Sequence, residues 1–502
     1  AMKRIYIWSM LFILIFANSC SKFEEMNTNP DKSTMATPAM LATGALISTL
    51  KQGGDSKAYI TLQALPKYVG YVESSALNEQ YNKIGSCSFG TYTILPNLKQ
   101  MVEYSAGSIS ENSYKGLALF LKAFNAFRVS MQTGDIPYSE AGFGKDGLLN
   151  PIYDTQENVF KQILADLKQA EEYFAVGRTF SGDIVFNGDP VKWRKLCNTF
   201  QLKVIMSMSK RVDAATKARF AAIVAAGNIM TSNADNFQLN YANQTGNYHP
   251  LYQAQKFTAA TMISDNLVQI LKKLNDKRLF YYAEPSAYQL SHGKVMSDPD
   301  AYIGVNVAIS YTQLAGIFAG GNVSLLNRRY AFLYASEPLV YVGYPEQNLI
   351  IAEAIELGWM TGSSQTYYEA GVKAALAFTM ATDVSYAHGV PIDQAYINGY
   401  FTGQAAYKTT SADRLKQIWE QRYLFNYFQD GTFAYFEFRR NGYPLFPLDP
   451  ATNLNAENVN GFPMRWTYPT GESQSNKDNL VIALGRQYQG FDEVNKLMWV
   501  LK

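Results

Sequence analysis

Histidine and cysteine, two of the residue types that carry catalysis, are sparse in this chain of 502 residues, which has three of each. Its three histidines, His249, His292 and His388, lie far apart and form no HExxH zinc motif. No GxSxG nucleophile elbow occurs, and Gly144-Lys145 lacks the following Ser or Thr of a phosphate-binding loop. We therefore expect no catalytic residues, no metal and no cofactor. A carboxylate pair for glycoside hydrolysis has no fixed sequence spacing, so that activity stays open.

Tyrosines and asparagines in polar loops offer binding chemistry instead. An aromatic ring packs on the C–H face of a sugar and an amide hydrogen-bonds its hydroxyls, although both groups suit a peptide backbone equally. Residues 228–344 are rich in Asn, Gly, Tyr and Ser, which is typical of long loops that bind something. Packing within the loops is the alternative role for each residue. The candidate ligand-binding residues are Tyr81, Asn82, Asn247, Tyr248, Tyr302 and Tyr311.

The charge balance favours a neutral ligand. The formal net charge is +2, and it falls to zero without Lys3 and Arg4, which lie in a segment we expect to be removed. Basic surface supplies most of the affinity for nucleic acid, so no nucleic-acid partner is expected. With 47% hydrophobic and 17% charged residues, the chain has ample apolar material for a globular core.

The start of the chain has the pattern of a secretory signal. A short basic region at residues 2–4 precedes an apolar run at residues 5–16, and small residues then lead to Cys20. This resembles a bacterial lipobox, which predicts a signal peptide at 1–19, a lipid on Cys20 and a tether over 20–38. A plain signal peptidase site with an incidental cysteine is the alternative. Lys22 and the acidic residues after it resemble the export tag of lipoproteins that reach the outer face of an outer membrane.

The helices that must position the loops are strongly patterned. Leu117, Phe120, Leu121, Phe124 and Phe127 fall on one face at 3.6 residues per turn, and residues 133–137 then end that helix abruptly. Small alanines beside this face allow a neighbouring helix to approach closely. A first helix is expected near residues 39–52.

Capping residues mark the next helices. Asp154 with Glu157 predicts a capping box, Asp189 before Pro190 predicts an N-cap with proline at the first helical position, and Gly227 predicts a helix end. Long amphipathic helices joined by short turns predict stacked pairs like tetratricopeptide repeats, although no clean 34-residue repeat is present.

Two further helices are expected at residues 345–359 and 365–380, with a turn between them, and another is expected after Asp413. Glu353 lies near the apolar side of its helix, where an isolated carboxylate is costly. We expect Arg439 or Arg440 to be its partner. Cys87 and Cys197 are left either to pair or to remain as buried thiols.

Several of these segments resemble the SusD/RagB family of cell-surface lipoproteins, in family order and at matching spacing. They are FEEMNTNPDKS, the run at residues 114–142, YDTQENVF, GDPVKWRKLCNTFQLK, YPEQNLIIAEA, the run at residues 418–444 and FPMRWTYPTGESQSN. Together they extend from Cys20 to about Asn479. The C-terminal segments carry the family's paired arginines and its Arg, Tyr-Pro and Glu cluster.

The resemblance implies a mostly α fold: a tetratricopeptide-like helix-hairpin stack with long irregular ligand-binding loops. We expect one domain over residues 39–502, with the helical scaffold at about 39–230 and 345–440 and a loop-rich insert at about 231–344. Residues at the family's C-terminal positions, together with Glu353, are expected to form a structural polar network. They are Glu353, Arg439, Arg440, Arg465, Tyr468 and Glu472.

The resemblance also implies a function. A protein of this family is expected to capture oligosaccharides or oligopeptides at the outer membrane surface and to act as a lid on a SusC-type TonB-dependent β-barrel transporter. Such a protein binds and gates, and it breaks no bond. A surface glycoside hydrolase and a passive structural or adhesive lipoprotein are the alternative classes.

Overall fold

The computed structural model describes residues 36–51 and 54–502. The predicted signal peptide, Cys20 and most of the tether lie outside this part of the chain. In chain order, the helices of the first half are α1 (Pro38–Leu50), α2 (Ser56–Ala64), α3 (Leu95–Ser105), α4 (Glu111–Thr133), α5 (Gln156–Val176), α6 (Pro190–Ser207), α7 (Ala214–Ala226), α8 (Gln255–Thr258), α9 (Asp265–Lys273) and α10 (Arg278–Tyr282).

The remaining helices are α11 (Ala287–Ser291), α12 (Tyr311–Gly320), α13 (Arg329–Phe332), α14 (Tyr344–Glu356), α15 (Ser364–Met380), α16 (Gln394–Gly399), α17 (Ser411–Phe425), α18 (Gly431–Asn441), α19 (Glu472–Ser475) and α20 (Lys477–Tyr488). The strands are β1 (Val69–Tyr71), β2 (Phe237–Leu239), β3 (Thr261–Ile263) and β4 (Leu339–Val342).

Stacked helices form the scaffold. Helix α4 packs on α5, α5 packs on α6, and α14 packs on both α15 and α17. The predicted apolar face of α4 is buried, with Leu117, Phe120 and Leu121 fully inaccessible to solvent. This agrees with the tetratricopeptide-like helix stacking expected from the sequence. No helix in the described ranges has the length and apolar character needed to cross a membrane.

Helix caps follow the local chemistry of the sequence in most places. The side chain of Asp189 accepts a hydrogen bond from the Val191 N–H at the start of α6, and Pro190 occupies the first turn. Gly227 ends α7 with φ +73°, a left-handed conformation that glycine adopts without strain.

The prediction that Asp154 caps α5 is wrong. Thr155 is the N-cap, and its side chain accepts from the Asn158 N–H. The Asp154 carboxylate instead accepts from the backbone N–H groups of Tyr138 and Ser139 at 3.0 and 2.8 Å. It therefore fastens the loop that follows α4, a long-range contact that the capping pattern could not reveal.

The region at residues 231–344 is more ordered than its composition suggests. It contains β2, β3, β4 and helices α8–α13, and it contributes its own buried residues, including Leu267, Val268 and Tyr330. Two short antiparallel pairings fasten it: β1 pairs with β3, Val69 opposite Ile263, and β2 pairs with β4, Phe237 opposite Val342. The β2–β4 pairing brings two distant loops together at the surface. Cys87 and Cys197 are both buried and free.

Candidate ligand-binding site

Two surface loops are fastened side by side next to the β2–β4 pair. The His249 N–H donates to the Tyr334 carbonyl at 2.8 Å, and the Gln253 N–H donates to the Ala331 carbonyl at 2.8 Å. These backbone hydrogen bonds fix residues 248–253 against residues 331–334. The side chains that leave both loops toward solvent are therefore held in a defined arrangement.

Three tyrosines from these loops form a continuous row, which we call the tyrosine row: Tyr248, Tyr252 and Tyr334. The ring centroids of Tyr248 and Tyr252 are 5.0 Å apart, and those of Tyr252 and Tyr334 are 6.4 Å apart. Tyr334 is 42% exposed, and the other two are half-buried. Aromatic rings with one face packed and another accessible are the usual platform for an apolar ligand face.

The loop that carries Tyr248 and Tyr252 also contains a buried histidine. His249 makes edge-to-face contacts with Tyr59 and Tyr241, and its Nδ1 accepts from the Leu251 N–H at 3.2 Å. Burial, with a smaller contribution from the charge of Arg329, lowers the pKa of His249 to about 3. The imidazole is therefore neutral at physiological pH and packs as an uncharged ring against Tyr59 and Tyr241, which anchors the loop that carries Tyr248 and Tyr252.

A cavity of about 620 Å³ opens at the Tyr248 end of the row. We call it the first cavity. Its apolar side includes Ile47, which is 44% exposed on α1, and Tyr241. Its remaining lining residues are Thr43, Lys51, Gly54, Asp55, Ser56, Ile184, Leu239, Asn240, Gly246, Asn247, Tyr248 and Pro250. A concave surface with apolar walls and a few polar groups is the ordinary form of a small-ligand site.

The charged groups of the first cavity are engaged with the protein. The Asp55 carboxylate caps α2 by accepting from the Ala58 N–H at 2.8 Å. The Lys51 ammonium donates to the Gly246 carbonyl at 3.3 Å and so braces the tight turn that carries Asn247. Because these two charges have opposite signs, the cavity lining carries no net charge that would favour a charged ligand.

Of the residues predicted to bind ligand, Asn247 and Tyr248 line this cavity together. Tyr302 does not: it has no exposed surface, and its hydroxyl donates to the Met296 carbonyl at 2.8 Å. Tyr81 is 6% exposed and donates to the Ile309 carbonyl at 2.8 Å. These two aromatic rings are part of the packed interior and offer a ligand no face in this structure.

Asn82 and Tyr311 also have packing roles. The Asn82 side-chain oxygen accepts from the Lys67 ammonium at 2.6 Å, and its amide nitrogen donates to Asn453 at 3.2 Å. The half-buried Tyr311 donates its hydroxyl to the Val72 carbonyl at 2.9 Å. Sequence reasoning could not separate these residues from Tyr248, because whether a loop tyrosine turns inward depends on contacts between distant segments.

Sequence reasoning also missed Tyr334 and the contributions of α1. Tyr252 can be recognised in the sequence as a loop tyrosine four residues after Tyr248. Tyr334 follows a short helix, and no motif around it indicates a binding role. An exposed isoleucine such as Ile47 inside an amphipathic helix is a weak signal, because isolated surface apolar residues are common.

The Glu353 carboxylate lies in a buried charge cluster. Arg440 contacts it through both terminal nitrogens at 2.6 and 3.0 Å, and Arg422 approaches within 3.2 Å. Glu346, Glu437 and Lys203 complete three cations and three carboxylates, all at most 8% exposed at the side chain. The positive and negative charges of the cluster balance, and Arg440 binds Glu353 through two hydrogen bonds. These interactions offset the free-energy cost of burying the charges.

Arg439 is not the partner of Glu353. Its guanidinium donates to the carbonyls of Met464 and Met131 at 2.6 and 2.5 Å, and burial without a carboxylate lowers its pKa to about 10. It therefore ties the C-terminal segment to the end of α4.

The other predicted network residues form contacts of their own. Arg465 pairs with Asp492 at 2.7 Å and lies over the ring of Tyr488 at 4.2 Å. The Tyr468 hydroxyl donates to the Asp135 carbonyl at 2.7 Å, and Glu472 accepts from the Tyr153 hydroxyl at 2.6 Å. Within residues 36–51 and 54–502, no group of three or more His, Cys, Asp and Glu side chains is arranged to hold a metal ion.

Comparison with known proteins places this architecture in a family. The family described as starch-binding and associating with the outer membrane matches residues 30–469. A SusD homologue from Bacteroides fragilis is 38% identical, with a TM-score of 0.88, over 93% of this chain and 100% of that one. A candidate outer membrane nutrient-binding protein from Bacteroides vulgatus is 30% identical, with a TM-score of 0.83 over the same shares.

A chitin-binding SusD homologue from Flavobacterium johnsoniae shares the fold, with 19% identity and a TM-score of 0.70 over 92% of this chain and 98% of that one. No curated protein matches the chain. The family match over most of the length and the two homologues at 30% identity or more are decisive. The chain belongs to the SusD-like family of outer-membrane-associated nutrient-binding proteins.

Proposed function

We propose that this protein captures neutral oligosaccharides at the cell surface and acts as a lid on a SusC-type TonB-dependent transporter. The observation that carries the ligand class is the tyrosine row beside the first cavity. Its rings are inclined to one another at 51° and 89°, so they offer separate aromatic faces and edges to the C–H groups of successive sugars, and Asn247 at its end offers hydrogen bonds to hydroxyls. Lys51 and Asp55 carry opposite charges, so the lining has no net charge to attract a peptide with charged side chains.

Calorimetric titration with neutral hexasaccharides tests this assignment. The probes are cellohexaose and chitohexaose, and the variants are Tyr252→Ala and Tyr334→Ala. Removing one stacking ring should weaken binding several-fold to about tenfold, since an aromatic contact contributes about 0.5–1.5 kcal/mol. Melting temperatures should change little, because Tyr334 is exposed and Tyr252 is only half-buried.

Tyr288→Ala is the matched control. Tyr288 is 42% exposed, as Tyr334 is, but it stacks on His292 outside the row. It should leave the affinity unchanged. Failure of both hexasaccharides to bind, or equal effects of all three substitutions, would contradict the sugar-binding role of the row.

The lid role rests on the anchor and on a partner. We propose that a lipid on Cys20 holds the protein to the outer membrane. We also propose that the closed state of the lid binds the ligand more tightly than the open state, because only such a difference in affinity lets a ligand shift the equilibrium toward closure. Full-length protein purified through a tag from detergent-solubilised outer membranes should bring a TonB-dependent barrel with it. Cys20→Ala should leave the protein out of the membrane fraction. Recovery of the anchored protein alone would contradict the lid.

The proposed work is binding, with no bond broken. Incubation of the purified protein with each hexasaccharide, followed by chromatography of the sugars, should return them intact. Appearance of shorter sugars would favour the glycoside hydrolase alternative. The passive adhesive alternative predicts that neither sugar binds and that no barrel is recovered.

A further inference from the structure

A second cavity of about 620 Å³ lies at the other end of the tyrosine row. Tyr334 forms part of its lining, just as Tyr248 forms part of the lining of the first cavity. Tyr252 bridges these two residues, because its ring centroid lies 5.0 Å from that of Tyr248 and 6.4 Å from that of Tyr334. The tyrosine row therefore connects the two cavities.

Strand β2 connects the same two cavities a second time. Gln238 lines the second cavity, and Leu239 and Asn240 line the first. The Gln238 Nε2 donates to the Asn240 Oδ1 at 2.8 Å, as expected for side chains two residues apart on the same side of an extended segment. Because the row and β2 join the cavities at two separate places, the cavities are the two ends of one elongated groove.

The two amides at this junction offer hydrogen-bonding groups that a ligand can reach. Asn240 is exposed, and Gln238 is half-buried. The hydrogen bond between them uses one half of each amide, and Gln238 Oε1 and Asn240 Nδ2 have no other partner among the described residues. A sugar hydroxyl can donate to such an oxygen and accept from such a nitrogen. The junction therefore adds polar groups to the aromatic rings of the row.

The charges of the second cavity exclude an acidic sugar. Asp383 and Glu337 are among its lining residues, and none of the described residues that line it is Lys or Arg. Glu337 pairs with Arg329 at 2.7 Å, whereas Asp383 is exposed. The lining thus has no cation for a uronate or a sulfate. Half-buried Phe378 on α15 supplies an apolar wall that suits the C–H groups of a neutral sugar.

From this arrangement we propose that the second cavity is a further sugar subsite, and that one neutral oligosaccharide occupies both cavities and the row between them. The ring spacings along the row are comparable to the length of one pyranose unit. A trisaccharide therefore covers the row without filling both cavities, whereas a hexasaccharide reaches into both. The inference rests on the proposed sugar-binding function and adds a preference for long chains over short ones.

Calorimetry on the full-length chain with two pairs of probes tests the preference. The pairs are cellotriose with cellohexaose and chitotriose with chitohexaose, so that chain length changes while the sugar stays the same. In a pair that binds, the hexasaccharide should bind about tenfold more tightly than the trisaccharide, the effect of one or two further hydrogen bonds. Gln238→Ala, which removes one amide of the junction, should weaken the hexasaccharide several-fold.

Ala381→Trp places a bulky ring at an exposed position of the second cavity. It should lower the affinity for the hexasaccharide to near that for the trisaccharide, and it should leave the trisaccharide nearly unchanged, because the row and the first cavity stay open. Met380→Trp is the control and should keep the length preference, because Met380 is 36% exposed on α15 but does not line the cavity.

Equal affinities of the wild type for trisaccharide and hexasaccharide would overturn the inference while leaving the sugar-binding function intact. A length preference that survives both Ala381→Trp and Gln238→Ala would assign the additional contacts to another surface and would also overturn it. If none of the four sugars binds, the proposed function fails and the second subsite fails with it.

Discussion

At the scale of single residues, the carboxylate of Glu353 shows how a charge is kept in the interior. It has no exposed side-chain surface, and Arg440 and Arg422 both contact it. Glu437 is held in the same way: burial alone would raise its pKa, but the charges of Arg422 and Arg440 lower it below the ordinary value. Removing one member would leave its partners buried and unbalanced.

Glu353→Gln should therefore destabilise the protein by about 3–5 kcal/mol, the usual cost of breaking a buried pair on one side. Urea unfolding followed by circular dichroism measures it. Glu369→Gln is the control, because Glu369 forms a partly exposed pair with Lys373 at 3.9 Å, and its loss should cost about 0.5 kcal/mol or less. Coincident unfolding curves for the two variants would show that the cluster contributes no more than a surface pair.

Lys67 is a buried cation with no carboxylate. Its ammonium donates to the Gln80 carbonyl and to Asn82 at 2.7 and 2.6 Å, and burial lowers its pKa to about 7. Because the folded state holds this proton less tightly than the unfolded chain, the unfolded state binds more protons above pH 7. Stability should rise with pH from about 7 toward the unfolded pKa, by at most about 1.4 kcal/mol per pH unit.

Lys67→Met should remove that rise. The free energy of unfolding is compared at pH 7.0 and 8.5. The unfolded thiols of Cys87 and Cys197 begin to lose their protons in this range, at a pKa of about 8.5, and lower the slope equally in the wild type and in the variant. Lys83→Met, which alters an exposed lysine just after Asn82, is the control and should keep the wild-type slope. An unchanged slope in Lys67→Met would show that Lys67 stays charged on both sides of folding over this range.

At the scale of elements, the sequence predicts the helices far better than the loops. Apolar periodicity and caps such as Asp189 and Gly227 act within a few residues, so the local chain determines them. Asp154 is a counterexample, because its carboxylate reaches back to Tyr138 and Ser139. The burial of Tyr302 and the meeting of Tyr252 with Tyr334 depend on the β2–β4 pairing, which has no short-range signature.

The approach of α5 to α4 depends on a glycine. A Cβ at Gly116 would come within 2.8 Å of the Phe174 ring, which is stacked on Trp193 at 5.7 Å and so has little room to move. Gly116→Ala should therefore cost about 1–3 kcal/mol despite the better helix propensity of alanine. Thermal unfolding measures it.

Gly485→Ala in α20 is the matched control, because a Cβ there meets nothing within 4 Å. It should stabilise the protein by up to about 1 kcal/mol through helix propensity alone. If both substitutions raise the melting temperature, the contact between α4 and α5 has room for the added methyl group, contrary to the prediction.

At the scale of the whole molecule, buried contacts join the two helical parts of the chain. Lys203 on α6 donates to Glu346 on α14 at 2.9 Å and to the Tyr341 carbonyl at 2.7 Å. Tyr59 on α2 donates to the Phe428 carbonyl at 2.8 Å, and Arg128 on α4 pairs with Asp430. The loops that carry the tyrosine row lie between these two parts, so their geometry depends on both.

We therefore predict that residues 39–502 unfold as one unit, although chains of this size often unfold in steps. Hydrogen exchange with mass spectrometry across a urea series should show α5 and α15 losing protection at the same midpoint. Lys203→Met, which leaves Glu346 with Arg422 as its remaining cationic partner, should lower both midpoints together. Lys195→Met, on the same helix but paired with Asp235 at 3.0 Å at a site 23% exposed, should move both far less. Loss of protection in α15 ahead of α5 would show two separable parts, and the tyrosine row would then lie on a hinge and not on a rigid platform.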